Sequence, residues 1–278
     1  MAYLIADSGS TKCEWCLVNG NRKTTIITTG INPYFISKQD IVLLLQQSLL
    51  PKIKTPIDAV YFYGTGLGNA ENVKIIKAVL KQLFGTATID VQTDLVGAAR
   101  SLLQHNKGIV CILGTGSNCG FYNGKSIVKN SPGLGYILGD EGSGAYLGKK
   151  VLQHYLYNTF DEDMMAAFNA RFAVTKDEIL NNVYKQPQAN KYLAAFSIFL
   201  AENRGHYMIE NILEDGLHDF IFNHIYKFKE SWTSPICFTG SVAFAFKDIL
   251  KEICNAYELE LGNVTKHPMD ALVKFHSI

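Results

Sequence analysis

One order of short segments occurs twice in this chain and limits its possible folds more than any other feature. An apolar run, a glycine- and hydroxyl-rich turn, a cysteine-containing apolar run and an Asn-Gly pair follow one another from Tyr3 to Gly20 and again from Ile109 to Gly124. Asn-Gly between apolar runs is typical of a type I′ β-hairpin. Each copy therefore predicts a three-stranded antiparallel start. The repetition indicates two halves related by duplication, with a boundary near Lys107-Gly108.

Strand-like and helical segments alternate after the first hairpins, which favours an α/β fold. Ala59 to Tyr63 and Thr88 to Val91 have strand patterns, and each is followed by a helical pattern. After Ser143 the sequence is mainly helical. A buried strand is predicted at Ile236 to Phe238 and a short helix at Pro268 to His276.

Charge and hydropathy exclude several classes of partner. The 278 residues carry 26 basic and 25 acidic side chains, so the net charge of +1 provides no field to hold a polyanion, and we expect neither nucleic acid nor membrane as a partner. No apolar run is long enough to span a bilayer. Met1 to Asp7 lacks the basic start of a signal peptide, so we expect a cytoplasmic protein whose six cysteines stay reduced.

Three predicted strands end in small, glycine- and hydroxyl-rich turns, at Asp7–Thr11, Gly114–Asn118 and Gly240-Ser241. Such turns can present backbone N–H groups to phosphate, although each alone is also compatible with an ordinary hairpin. Their number favours a nucleotide site. Neither the P-loop pattern nor the dinucleotide-binding G-x-G-x-x-G pattern is present.

These turns resemble the phosphate loops of the actin, hexokinase and heat-shock ATPase superfamily, and within it the chain resembles the N-acetylglucosamine kinase group of the BadF/BadG/BcrA/BcrD-type ATPase family. Asp7-Ser8-Gly9-Ser10-Thr11-Lys12 is similar to the first phosphate loop and Gly114-Thr115-Gly116-Ser117-Asn118 to the second. Gly30-Ile31-Asn32 and Gly139-Asp140-Glu141-Gly142-Ser143 resemble sugar-site motifs. Thr93-Asp94 resembles the segment of the catalytic base, and Gly240-Ser241-Val242 the adenosine loop.

The resemblance implies an α/β fold of two duplicated ribonuclease H-like (actin-like ATPase) domains with an interdomain cleft that closes on the substrates. We expect residues 1–108 to form the first domain, completed by a C-terminal helix at about 262–278, and residues 109–261 to form the second, with a helical insertion. The implied activity is an ATP-dependent sugar kinase acting on a hydroxyl, O6 being expected, of N-acetylglucosamine or a related amino sugar. The resemblance is also compatible with a homodimer.

The resemblance also implies roles for particular residues. ATP phosphates are expected to bind at Ser8, Gly9, Ser10, Thr11, Lys12, Gly114, Thr115 and Gly116, and adenosine at Gly240, Ser241 and Val242. Sugar contacts are expected from Asn32, Asp94, Ser117, Asn118, Gly135, Tyr136 and Asp140. Ser8 and Ser10 depart from the glycines usual in the first loop, and Leu134 stands where many members have Trp.

Two carboxylates have the central chemical roles. Asp94 opens a predicted helix and could simply be its N-cap, but the resemblance makes it the general base that accepts the proton of the attacking hydroxyl. Asp7 ends a buried strand, where a carboxylate needs local N–H donors or a cation, and we assign it to Mg²⁺ held through water.

Other readings remain open. Cys13 and Cys16 form a C-x-x-C on a predicted strand, where their side chains face opposite ways, and His218 and His224 are too loosely placed to argue for metal ligation. An ATPase activator of acyl-CoA dehydratases would need a cysteine-held iron–sulfur cluster, for which Cys111 and Cys119 are the candidates. A non-catalytic nucleotide- or sugar-binding regulator is the remaining alternative.

Overall fold

The structure is a computed structural model that describes residues 1–9 and 11–277, and within this part of the chain ten strands form two five-stranded sheets. The chain divides into two compact units, each built around one of these sheets. Unit 1 contains Met1–His105 together with the residues from His267 onward, and unit 2 contains Asn106–Lys266.

The sheet of unit 1 has the strand order β3-β2-β1-β4-β5, in which β1, β2 and β3 are antiparallel and β1, β4 and β5 are parallel. The strands are β1 (Ala2–Ser8), β2 (Lys12–Asn19), β3 (Arg22–Thr29), β4 (Ala59–Gly64) and β5 (Thr88–Thr93). This arrangement confirms the antiparallel start. The turn type differs from the prediction: Asn19 pairs with Arg22, and of the two loop residues only Gly20 has a positive φ, which is the signature of a II′ rather than a I′ turn.

Helices cover both faces of this sheet because its strands alternate apolar side chains between the two sides. One face bears Leu4 and Ala6 and packs against α1 (Lys38–Ser48) and α2 (Ala70–Phe84). The other face bears Ile5 and packs against α3 (Asp94–Leu103) and α13 (Met269–His276).

The sheet of unit 2 repeats this order as β8-β7-β6-β9-β10, with the same parallel and antiparallel relations. Its strands are β6 (Gly108–Leu113), β7 (Ser117–Tyr122), β8 (Ile127–Asn130), β9 (Ile236–Thr239) and β10 (Leu261–Thr265). Two sheets with one topology are the structural counterpart of the repeated sequence pattern. Residues 262–265, which the resemblance led us to expect with the C-terminal helix, belong to strand β10 of this second sheet.

The helices of unit 2 lie mostly between β8 and β9 and form its large core with the sheet. They are α4 (Gly135–Leu138), α5 (Gly144–Leu156), α6 (Glu162–Phe172), α7 (Lys176–Tyr184), α8 (Ala189–Ala195), α9 (Ile198–Glu202), α10 (Tyr207–Phe220), α11 (Ser241–Ala245) and α12 (Lys247–Ala256). Helix α10 continues into one turn of π-helix, Ile221–Ile225. In residues 1–9 and 11–277, no helix combines the length and apolar character needed to cross a bilayer.

Candidate functional site

The first glycine-rich turn joins β1 to β2 in unit 1. The N–H of Gly9 donates to the carbonyl of Lys12 at 3.0 Å and closes the turn. Gly9, Thr11 and Lys12 are exposed, and Nζ of Lys12 lies 3.8 Å from the carboxylate of Glu14. Ser10 lies outside the described residues. The exposed position of these residues is compatible with the phosphate-binding role predicted for this turn, which stays a prediction.

Ser8 is fully buried at the end of β1, and its hydroxyl is used within the protein. It donates to the carbonyl of Ile31 at 3.1 Å and accepts from the N–H of Ile31 at 2.9 Å. The side chain therefore ties the segment Gly30–Asn32 to the first turn. It is not placed to donate to phosphate, which was the role expected of it from the sequence.

Asn32 lies in that tied segment and is almost buried. Its Oδ1 accepts from the N–H of Tyr34 at 3.0 Å, which fixes the orientation of the carboxamide. Gly66 makes room for it, because a Cβ at Gly66 would lie 2.2 Å from this Oδ1. The sequence analysis did not assign Gly66 a role; the available signal was a run of three glycines, Gly64, Gly66 and Gly68, directly after a predicted strand. In the structure Gly66 has a φ of +75°, which glycine adopts without strain.

Asp7 is a partly buried carboxylate one residue before Ser8 on β1. Burial, followed by the charges of Asp94 and Glu14, raises the pKa of Asp7 to about 7, and Lys12 opposes this shift. A cation would relieve both the desolvation and the repulsion. The residues present therefore fit a magnesium ion held by Asp7, although in the described residues no cluster of three or more His, Cys, Asp or Glu side chains forms a ready metal cage.

Asp94 is the first residue of α3, at the carboxyl end of β5. The helix is capped by Thr93, whose Oγ1 accepts from the N–H of Val96 at 3.3 Å. Oδ1 of Asp94 accepts from the N–H of Leu95 at 2.8 Å. The N-cap role considered for Asp94 is thus performed by Thr93.

The second glycine-rich turn joins β6 to β7 in unit 2 and is tied to the start of α5. The carbonyls of Gly114 and Thr115 accept from the N–H groups of Gly144 and Ala145 at 2.8 and 3.0 Å. Oγ of Ser117 is buried and has no hydrogen-bond partner within residues 1–9 and 11–277. A buried hydroxyl without a partner is costly, so its position fits a ligand that bonds to it.

The Gly139–Ser143 segment forms a tight turn directly against that second loop. Asp140 has a left-handed backbone with a φ of +57°, and its Oδ1 accepts from the N–H of Ser117 at 3.4 Å. A Cβ at Gly116 would lie 3.0 Å from Oδ2 of Asp140. Burial and then the charge of Glu141 raise the pKa of Asp140, while the Ser117 N–H lowers it. In unit 2 the turn that resembles a phosphate loop, Gly114–Asn118, is therefore in direct contact with the turn that resembles a sugar-site motif, Gly139–Ser143.

The remaining predicted residues of unit 2 surround the same loops. Gly240 has a φ of +119°, and a Cβ there would lie 2.2 Å from the carbonyl oxygen of Leu113, so Gly240-Ser241-Val242 passes directly beside the second turn. Oδ1 of Asn118 accepts from the N–H of Cys119 at 2.9 Å. Gly135 and Tyr136 begin α4, which leaves the preceding Leu134 58% exposed.

A buried hydrogen-bond chain behind the Gly139–Ser143 turn was not found from the sequence. Ser131 bonds to Nδ1 of His224, and Nε2 of His224 lies 2.8 Å from Oε2 of Glu141. Ser131 and His224 are 1% and 8% exposed, so water does not satisfy these groups. The sequence separation between the three residues gave no signal, and His224 had been set aside as loosely placed.

All six cysteines are buried. Cys111 and Cys119 face each other across β6 and β7 in the core of unit 2, and burial raises the pKa of the Cys111 thiol. They are strand-core residues, as the sequence pattern favours. Cys13 and Cys16 lie in different core clusters of unit 1, on opposite faces of β2.

The model of the BadF/BadG/BcrA/BcrD ATPase family matches residues 6–270. An N-acetylmuramic acid/N-acetylglucosamine kinase of Clostridium acetobutylicum is 24% identical over 204 residues, which cover 67% of this chain and 65% of that protein. The matched region thus spans just under two thirds of that curated relative's length.

Solved structures give longer matches. A proposed N-acetylglucosamine kinase of Porphyromonas gingivalis is 35% identical with a TM-score of 0.94, covering 99% of this chain and 98% of its own. A ROK family glucokinase of Streptomyces griseus, solved with glucose and AMPPNP, has a TM-score of 0.59 at 16% identity, covering 100% of this chain and 98% of its own. The α/β fold of two duplicated actin-like units, expected from the sequence, is confirmed.

Proposed function

Because this chain belongs to the BadF/BadG/BcrA/BcrD ATPase family, we propose that it is an ATP-dependent sugar kinase. It transfers the γ-phosphate of ATP to a hydroxyl, O6 in our proposal, of N-acetylglucosamine or a related amino sugar. The observation that carries this proposal is the contact in unit 2 between the second glycine-rich turn and the Asp140 carboxylate. An anion-binding loop and a sugar-type carboxylate share one small region there.

Phosphate recognition is proposed for the first turn of unit 1 and the second turn of unit 2. The exposed Thr11 and Lys12 offer hydroxyl and ammonium donors, and Thr115 and Gly116 are proposed to supply backbone N–H donors. The N–H groups of Gly9 and Gly114 already bond within their own turns. Ser241 and Val242, next to the second turn, are proposed to bind adenosine.

Sugar recognition is proposed for Asn32 of unit 1 and for Ser117, Asn118, Gly135, Tyr136 and Asp140 of unit 2. Amide, hydroxyl and carboxylate groups bond well to sugar hydroxyls and to an acetamido group. The unpartnered Oγ of Ser117 supports this assignment because a ligand hydroxyl would satisfy it. The names of the Clostridium and Porphyromonas relatives support an amino sugar as acceptor.

Asp94 is proposed as the general base. Its carboxylate, held at the start of α3 by the N–H of Leu95, accepts the proton of the attacking hydroxyl as the phosphoryl group transfers. Asp7 would hold Mg²⁺, which supplies charge neutralisation of the β- and γ-phosphates when bound. The protein's remaining task is to align the acceptor and to exclude water.

The test is an ADP-release assay with ATP and Mg²⁺ against N-acetylglucosamine, glucosamine, N-acetylmannosamine, N-acetylmuramic acid, glucose and no sugar. We expect turnover that depends on an amino sugar, with a 6-phosphate as product by mass spectrometry and NMR. Turnover equal in all wells would instead indicate an ATPase of the activator type. Sugar or ATP binding without turnover would indicate a regulator, and either result would overturn the kinase proposal.

A further inference from the structure

The hydrogen-bond chain Ser131–His224–Glu141 ends in the Gly139–Ser143 turn of unit 2, called the sugar-type turn below because its sequence resembles a sugar-site motif. We propose that His224 is a positioning residue for sugar binding. It acts through Glu141 by holding the Gly139–Ser143 turn in the conformation that presents Asp140. This inference rests on the proposed function for its sugar, but the contacts that carry it belong to unit 2 alone.

The turn that carries Asp140 needs an external anchor. Asp140 has a φ of +57°, a left-handed conformation that is unfavourable for a non-glycine residue, and Gly142 follows with a φ of +69°. Within the turn, the N–H of Ser143 donates to the carbonyl of Asp140 at 3.0 Å. The side chain of Glu141 leaves this turn and reaches His224, so the anchor joins two segments 83 residues apart.

The hydrogen-bonding capacities of the three residues define one arrangement. A carboxylate can only accept, so in the arrangement that satisfies all three residues Nε2 of His224 carries a hydrogen and donates to Oε2 of Glu141. Nδ1 lies at hydrogen-bond distance from the hydroxyl of Ser131, which can donate to it. Every polar atom of the imidazole is satisfied, and one ring orientation satisfies them.

The local backbone is adapted to this position. His224 lies in the π-helical turn Ile221–Ile225, where the N–H of Tyr226 donates to the carbonyl of Ile221 five residues earlier. Its ring stacks on Phe220 at a centroid distance of 5.0 Å. Phe220 also touches the sugar-type turn, since a Cβ at Gly142 would lie 2.9 Å from Cβ of Phe220. Single π-helical turns are costly and often accompany function.

The arrangement is not that of a hydrolytic triad. Ser131 is 1% exposed, so its hydroxyl cannot reach a substrate, and its hydrogen bond to the ring leaves it as the buried end of the chain. The other end of the chain is Glu141, the neighbour of Asp140 in the turn. The chain therefore holds Asp140 in place and does not activate Ser131.

Two substitutions of His224 distinguish a role in holding Glu141 from a role in filling space in the core. His224→Gln can place its amide nitrogen near the former Nε2 and keep the bond to Glu141, whereas His224→Asn reaches only toward Ser131. We expect the asparagine variant to raise KM for the sugar about tenfold or more with KM for ATP unchanged, and the glutamine variant to recover most of this loss. His218→Asn is the matched control, because His218 lies on α10 and bonds to Tyr257 instead.

Hydrogen exchange on the ligand-free proteins tests the anchor without any sugar. We expect faster exchange of the Gly139–Ser143 amides in His224→Asn, with wild-type rates in His224→Gln and His218→Asn. Equal exchange in the two His224 variants, or equal loss of sugar and ATP affinity, would overturn the inference. If the wild-type protein turns over no sugar while the exchange pattern is as expected, the kinase proposal fails and the anchor stands.

Discussion

At the scale of single residues, the candidate site residues are held in place by hydrogen bonds from buried polar side chains. The resemblance led us to expect glycine at the position of Ser8, and the structure shows what the serine does there: its buried hydroxyl bonds to Ile31 and so holds the segment that contains Asn32. Asp7 shows the opposite condition, a carboxylate whose surroundings disfavour its charge. Both residues link the architecture of unit 1 to the proposed chemistry.

Ser8→Ala tests the tie between the first turn and Asn32. The change leaves the buried N–H of Ile31 without its acceptor, which costs about 1–3 kcal/mol. We expect a higher KM for the sugar and a lower Tm, measured by steady-state kinetics and thermal unfolding. Ser48→Ala is the control, because its hydroxyl bonds within α1. An unchanged KM for the sugar would show that Asn32 does not depend on Ser8.

Asp94→Asn tests the general base. The substitution keeps the size of the side chain and an acceptor for the N–H of Leu95, but it removes the proton acceptor. We expect kcat to fall about 10²–10⁴-fold with little change in ATP affinity by calorimetry. A variant with wild-type kcat would rule out this role.

Asp7→Asn is expected to make the protein more stable and to abolish its activity. The pKa of Asp7 is raised to about 7, so the folded protein holds a proton there that the unfolded chain releases near pH 4, and stability from this group falls as pH rises from about 4 to 7. The amide removes that loss. We therefore expect a higher Tm than wild type at pH 8, a smaller gain at pH 5, and loss of magnesium-dependent turnover.

Asp270→Asn provides the comparison for Asp7→Asn, since Asp270 is an exposed carboxylate of unit 1. It should show no gain in Tm at pH 8 and normal turnover. A Tm for Asp7→Asn that does not change relative to wild type between pH 5 and pH 8 would contradict the electrostatic account.

At the scale of elements, α13 is held on the sheet of unit 1 by apolar and aromatic contacts. Met269, Leu272 and Val273 pack on the Ile5 face, and His276 stacks on Tyr61 at 3.7 Å. Nε2 of His276 bonds to the hydroxyl of Tyr63, which also accepts from Arg100 on α3. Burial and the charge of Arg100 lower the pKa of His276 to about 4.

The docking of α13 should weaken in mild acid. The unfolded chain takes up a proton at His276 near pH 6.5 and the folded chain only near pH 4, so the contribution to stability is complete above pH 6.5 and is lost as pH falls toward 4. His276→Gln should flatten the fall in Tm between pH 7 and pH 5, whereas His267→Gln, at an exposed histidine of the same unit, should not. Equal slopes in all three proteins would contradict this.

The helices and strands differ in how well the local sequence predicts them. The hairpin strands were predictable because glycine-rich turns separate runs of apolar residues, and α3 because an apolar helical pattern follows Asp94, although the residue that caps the helix is Thr93. Strand β10 was not, because Leu261–Thr265 is a partly exposed edge strand that pairs with β9 alone and lacks a buried side. The His224 anchor was not predictable because its three residues meet only through tertiary packing.

At the scale of the whole molecule, one topology is used twice with different additions. Unit 1 is completed by α13, and unit 2 contains a long helical region between β8 and β9. The repeated pattern in the sequence predicted the duplication. The unit boundaries, by contrast, depend on which sheet each segment joins.

Removal of residues 267–278 should affect the two units unequally. Without α13 the Ile5 face of unit 1 is covered only by α3, so we expect the amides of β1 and β4 to exchange faster and kinase activity to disappear. The amides of β6 and β9 should keep their protection, and their peptides in the same sample are the control. Equal loss in both units would show that they unfold together.

The discontinuity of unit 1 also bears on biosynthesis. Its sheet and first three helices are translated first, but α13, which covers the Ile5 face together with α3, follows only after all of unit 2, a delay of about ten seconds or more at typical ribosome speeds. An emerging chain therefore exposes the part of this apolar face that α13 covers throughout that interval. Chaperone binding is most needed at this face. If translation stalls before α13 is made, the Ile5 face of unit 1, the unit that contains Asp7 and Asp94, stays partly exposed.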